Sequence, residues 1–362
     1  MHTERNSNIE LLRVVAMMAI IAGHLINQGG IIDNLSTQVV SIYLGSGSRV
    51  AVNIFLFIGV YFMVDSKFKA TRVLNLWGEL FIYTFCFTIL AFFIDRSVSV
   101  KDVIKGIFPF STRALWFASA YLILIVLHPF LQRIFLISKK QLYFLVAALT
   151  YFLCVMPTFA AKQNDFIVNI AWFVYVYILV GMVKKYTDCF SSRRNALQKY
   201  GLFIGLLIYL ILTSFRTLSL VCDNTYVDVL CRLSEQYLSD IKSLPNALCA
   251  LCIFISVVSR EPAESKIINN IARPAFAAYI IHQTPAFYPI LWAKIIYTDY
   301  WFSFEPVSFI LLLLVSVLFI YSVCYFVDLL RTNVFEYFFW NSQIYLTLST
   351  RYDAVMNNSK NC

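Results

Sequence analysis

Apolar residues in this chain come in long unbroken runs, each of roughly 18 to 22 residues, separated by short charged stretches. A helix needs about 20 such residues to cross a hydrocarbon core of about 30 Å. Inside lipid only helices and closed barrels satisfy their own backbone groups. A barrel would show segments of about ten residues with alternating polarity, and these runs do not alternate. The pattern therefore predicts an all-α fold: a polytopic integral membrane helical bundle with about ten transmembrane helices. They fall near 8–28, 48–64, 74–94, 115–136, 141–159, 166–184, 201–220, 243–259, 274–294 and 306–329. The first run is not read as a cleaved leader, because Glu10 and Arg13 lie inside it and no small-residue cleavage site follows. The stretch 221–242 before the eighth run is mixed and has the character of an interfacial helix.

Composition agrees with the pattern. Of 362 residues, 60% are hydrophobic and 14% charged, with a mean hydropathy of +0.73; a soluble domain carries about a quarter charged residues. Charge then sets an orientation. With the N-terminus inside, eighteen of the 29 basic residues face the cytoplasm and ten, Arg49 among them, face out; Arg13 lies within a span. The positive-inside rule places both termini in the cytoplasm. The net charge of +9 is thus a topology signal, and no basic patch suggests nucleic acid. Residues 1–330 read as one membrane domain. Residues 331–362 read as a cytoplasmic tail, rich in aromatics from Phe335 to Trp340, that suits the interface.

Nine cysteines lack a metal-binding spacing. Cys249 and Cys252 form a C-x-x-C in an apolar helix without redox context. Cys222 and Cys231 share an outward loop, where an oxidising compartment would allow them to pair.

Ionisable residues inside spans are costly and usually functional. In the first span Arg13 and His24 are eleven residues apart, which is three turns plus about 20°, so they share one stripe about 16 Å apart. Glu10, three residues before Arg13, is placed to pair with it. The alternative reading of the same residues is a helix start with its charges capped and a histidine satisfied by a neighbour. His128, just before Pro129, reads as a packing residue.

The run Asn8-Ile9-Glu10-Leu11-Leu12-Arg13, continued to Gly23-His24, resembles the opening helix of the acyltransferase-3 family of integral membrane acyltransferases, with its Arg-x10-His pattern. Asn53 to Tyr61 resembles the family's second helix, with Ile58 where Ser is commoner. Lys69-Ala70-Thr71-Arg72 resembles its R-x-x-R pair, with Lys first. Leu115-Trp116-Phe117 with Tyr121 and Pro129 resembles its aromatic fourth-helix motif, and Tyr279-Ile280-Ile281-His282 its late Tyr-x-x-His. Together these cover most of the chain in the family's order.

The resemblance implies transfer of an acyl group, usually acetyl, from cytoplasmic acetyl-CoA to a hydroxyl of a carbohydrate or lipid-linked glycan. O-antigens, capsules and exopolysaccharides are typical acceptors, and the bacterial inner membrane the typical location. No bound cofactor or metal is implied, and the esterase-like domain that some members append is not expected. The roles implied are catalysis for His24 and Arg13, and donor binding for Arg72 and Lys69. Glu79 is two turns beyond Arg72 and placed to hold the cations; Trp116, Tyr121 and His282 are supporting. The competing classes are a transporter or flippase of a lipid-linked sugar, for which helix breaks are few and no repeat is visible, and a polysaccharide polymerase, which favours a larger outward loop.

Overall fold

The computed structural model describes residues 5–29, 35–158, 166–186, 191–218, 220, 222, 225–338, 347, 350 and 353. Described elements are helical throughout: α1 Ser7–Gln28, α2 Leu35–Val64, α3 Ala70–Ile94, α4 Val100–Ile107, α5 Trp116–Leu131, α6 Lys139–Thr150 and α7 Phe166–Lys185. They continue with α8 Ser191–Leu218, α9 Thr225–Ser239, α10 Leu244–Val258, α11 Lys266–Ala272, α12 Ala275–His282, α13 Tyr288–Ile290 and α14 Pro306–Phe338. Seven described helices are long and apolar enough to span a membrane; α9 and α10, bent by 53° at their junction, supply an eighth as a pair.

The remaining two expected spans exist as interrupted helices. The fifth, 141–159, is α6 followed by a π turn at Tyr151–Val155 and a 3₁₀ turn at Met156–Thr158. The ninth, 274–294, stops at His282 because Pro285 and Pro289 lack the N–H groups that would continue it. Thr284 O takes up the freed donors of Phe287 and Tyr288 instead. Hydropathy does not register such breaks, and in a bilayer a broken helix persists only where protein or a wet cavity surrounds it.

Two further boundaries differ from the sequence reading. α2 starts at Leu35 rather than near 48, so Arg49, expected at the outward end of its span, lies inside a continuous helix. α14 continues to Phe338, so the first residues of the expected tail are helical. Phe339 and Trp340 lie outside the described residues, and Asp353 returns to accept a hydrogen bond of 2.5 Å from Ala70 N at the start of α3. No disulfide joins Cys222 to Cys231. Cys249 is buried, its Sγ 3.0 Å from Gly205 O.

Close helix contact is made at small residues. A Cβ on Gly23 of α1 would fall on the Ser48 side chain of α2, and one on Gly201 or Gly205 of α8 would meet the α10 backbone at Cys252 and Cys249. Without hydrophobic pressure between helices in lipid, such approach supplies the dispersion that binds them. Buried Asn53 is satisfied on both sides, donating to Ile241 O at 2.7 Å and accepting from Trp172 Nε1 at 3.1 Å.

The start of α1 is tied to the α10–α11 link: Ser7 N donates to Ala263 O, and Ser265 N to Ser7 Oγ, both at 2.7 Å. Arg5 and Lys266 therefore share one face of the bundle. At the other face Lys294 closes on Asp95 at 2.7 Å, and this bond with those from Ser97 holds the Asp95 carboxyl far below the usual carboxylate range.

Candidate active site

α1 carries the site along its length. Near its start, Glu10 is buried and bonded to Arg13 at 2.8 Å, the pairing its spacing predicts. Arg13 then lines a cavity of about 370 Å³ with Arg72 and Glu79 of α3, Tyr121 of α5, and Arg273 and Phe276 at the α11–α12 junction. A second hollow of about 200 Å³ shares Gly59, Arg72, Tyr121 and Ile125 with it and adds Lys69 and His128. Four cations, Arg13, Lys69, Arg72 and Arg273, thus converge on one joined space at the end of the bundle where α1 begins.

The sequence, through its resemblance to the family, foresees three of these cations. Arg273 it counts only as a topology charge, since a single Arg before Pro274 has no motif around it. Glu79 lines the cavity, but its carboxylate bonds Arg331 of α14 at 2.9 Å. Arg72 donates to Ser66 Oγ at 2.6 Å. The cation that Glu79 holds is therefore Arg331, which also bonds Asp328 at 2.9 Å and Tyr83 at 2.7 Å. Nothing local in the sequence links residues so far apart.

Aromatic rings roof the cavity. Phe117 lines it, stacks on Tyr121 with centroids 6.3 Å apart, and meets Tyr279 at 5.7 Å. On α12, Phe276, Tyr279 and His282 recur every three residues, so the helix climbs about 9 Å from the cavity wall to its last residue. Trp116 lies outside both hollows, against Phe117 and Phe173.

At the top His24 meets His282, with His24 Nδ1 2.8 Å from His282 Nε2. His282 is fully buried; His24 keeps partial exposure. The tautomers follow from the partners. Ala278 O, 2.5 Å from His282 Nδ1, can only accept, so that nitrogen carries the proton of a neutral ring. His282 Nε2 then accepts from His24 Nδ1–H, which leaves the lone pair of His24 on Nε2. Trp292 closes against His282 at 6.4 Å and donates to Gln28 Oε1, which exchanges amide bonds with Gln283 beyond the pair.

His128 is bonded at both nitrogens: Nε2 donates to Ser66 O at 2.9 Å, and Nδ1 accepts from Tyr177 OH at 2.8 Å. Such a ring holds helices together, as its position beside Pro129 suggests.

The site defines a helical membrane protein with a cation-lined cavity at one end and a partly exposed histidine farther along the same helix. A family model of the acyltransferase domain matches residues 6–326, and the chain belongs to acyltransferase family 3. No curated protein and no solved structure matches it. It is a membrane acyltransferase, which sets the transporter and polymerase readings aside.

Proposed function

We propose that this acyltransferase moves an acetyl group from cytoplasmic acetyl-CoA to a carbohydrate hydroxyl during surface polysaccharide assembly, such as that of an O-antigen or exopolysaccharide. The bacterial cytoplasmic membrane is its place, and both termini lie inside. One observation carries this reading: α1 presents Arg13 to the four-cation cavity and His24 to the histidine pair about 16 Å beyond it.

The cavity suits the donor. Arg and Lys make charge-assisted bonds to phosphate oxygens, and Arg13, Lys69, Arg72 and Arg273 would hold the diphosphate and 3′-phosphate of CoA. The pantetheine arm then extends past Phe117 and Tyr279 towards His24.

The step balances without any further reagent. His24 Nε2 takes the proton of the acceptor hydroxyl as the oxygen attacks the thioester carbonyl. A C–O bond forms, the C–S bond breaks, and His24 returns the proton to the departing thiolate. His24 Nδ1–H stays on His282 throughout. A positioned base of this kind contributes about 10²–10⁴-fold to rate.

The test is substitution of His24 at unchanged membrane abundance. His24→Gln keeps size and a hydrogen bond but cannot cycle a proton. Acetylation of the surface glycan should fall by about 10²–10⁴-fold while acetyl-CoA still binds. Near-normal acetylation in this variant would remove His24 from catalysis. Reporter fusions just after Lys185 and at Cys222, which flank α8, should report opposite sides, the first cytoplasmic.

A further inference from the structure

A separate cavity, of about 420 Å³, opens between the end of α1 and the first half of α2 and is closed by the ends of α8 and α9. Its size falls in the range of ligand pockets, roughly 300–1,000 Å³. Along α2 its wall is one helical stripe of Gln38, Ser41, Gly45 and Arg49. The Ser41 hydroxyl is buried there without a hydrogen-bond partner.

Arg49 forms the inner end of that stripe. It lies fourteen residues from the start of α2, about 21 Å along the helix, and no described residue bonds it or pairs with it within 4.0 Å. The Asp240 carboxylate acts on it from beyond that range and is itself taken by Lys242 at 3.2 Å. A cation inside a spanning helix faces a partner or a wet path. Arg216 and Glu235 at the rim pair with each other at 3.5 Å, so the charge of Arg49 is left over.

The position is chemically pointed. α1 and α2 touch where Gly23 meets Ser48. His24 follows Gly23 on one helix and Arg49 follows Ser48 on the other, so the cation at the cavity floor flanks the base.

We propose that this outer cavity binds the acyl acceptor through an anionic group, a carboxylate or a phosphate on a sugar, bonded to Arg49, and so selects acidic over neutral glycans. The assignment of the cavity to the acceptor rests on the acyl-transfer reading above. The charge selectivity rests on the cavity alone. An oxyanion on the guanidinium fork anchors the sugar while Ser41 and Gln38 meet its hydroxyls, leaving one hydroxyl to face His24.

Cys231 lines the same cavity and reports occupancy without an activity assay. The full chain, purified in detergent, is treated with a maleimide, and labelling of Cys231 is followed by peptide mass spectrometry. Glucuronic acid, glucose 1-phosphate and glucose serve as probes. An acidic probe should slow labelling roughly fivefold at several times its Kd, and glucose should not. Arg49→Gln should abolish the protection and Arg49→Lys keep part of it. Protection by glucuronic acid alone identifies an acidic sugar; protection by glucose 1-phosphate alone identifies a phosphate-linked carrier; either supports the proposal. Equal protection by glucose, protection by no probe, or full protection in Arg49→Gln overturns it. Acetyl-CoA affinity on the same preparations tests the enzymatic reading separately: charge-selective protection in a protein that does not bind acetyl-CoA keeps the pocket and sinks the acyl-transfer reading.

Discussion

His24 and His282 join ring to ring at 2.8 Å although 258 residues separate them. The contact has a direction, because Ala278 O fixes the proton of His282 on Nδ1 and so makes its Nε2 the acceptor. In the proposed mechanism His282 is a positioning residue, holding His24 in the tautomer whose Nε2 is free. His282→Ala should lower the rate of acetyl transfer by between tenfold and about 10⁴-fold, the upper value being the cost of a wrong tautomer in a serine-protease triad. Donor KM should stay within about twofold, since the loss lies in proton transfer. His282→Gln offers a carbonyl oxygen to His24 Nδ1–H and should recover part of the rate. Equal loss in kcat and donor affinity would assign His282 to packing.

If the joined hollows hold the proposed donor, Arg72 is the cation whose removal reads most directly on it, because it lines both. Arg72→Ala should weaken acetyl-CoA binding at least tenfold, as loss of a charge-assisted bond of about 1.5–3 kcal/mol requires. Arg72→Lys should recover part of it, keeping the charge but not the bidentate fork. Calorimetry on detergent-purified protein measures both. Unchanged affinity in the Ala variant assigns Arg72 to topology.

How much of this was legible beforehand depends on the kind of signal. Arg13 and His24 are bound by a spacing within one helix, and helical periodicity makes such a relation readable. The run of apolar segments likewise gives the bundle. The second span is longer than its apolar run, because Gly45-Ser46-Gly47-Ser48 carries little hydropathy, so its start near 48 falls short of Leu35. In a membrane bundle the same residues are a close-packing face, and the helix runs straight through them. The Glu79–Arg331 bond spans 252 residues and follows from which helices become neighbours, which no local pattern encodes.

That bond belongs to a buried network with its own prediction. The side chains of Arg331 and Asp328 are 10% and 5% exposed, and Arg331 is the cation shared by Asp328, Glu79 and Tyr83. Arg331→Met leaves two carboxylates without their counter-ion and should destabilise the protein by about 3–5 kcal/mol. Adding Glu79→Gln should restore part of that loss, because one of the stranded charges is gone. Thermal unfolding in detergent reads both variants. A double variant no more stable than the single one would mean that Glu79 is solvated rather than held.

The last prediction concerns the contact that brings the two halves of the site together. Gly23 has no room for a methyl group, since a Cβ would land on the Ser48 side chain, whose Oγ is bonded to Gly45 O at 2.6 Å. Gly23→Ala must therefore push α1 from α2, and overpacking of this kind costs about 1–3 kcal/mol. His24 and Arg49 flank the contact, so the displacement should separate base from acceptor anchor while leaving the Arg13 cavity, three turns away, in place. Acetyl transfer should drop more than tenfold, because misplacement by about 1 Å can cost 10²-fold, with acetyl-CoA affinity unchanged. Ser48→Gly vacates the space the new methyl needs. The double variant should regain activity, though not full stability, as a glycine inside a helix costs about 1 kcal/mol. A Gly23→Ala protein as active as the parent would show that α1 and α2 can move apart without consequence, and would remove the link between the two cavities.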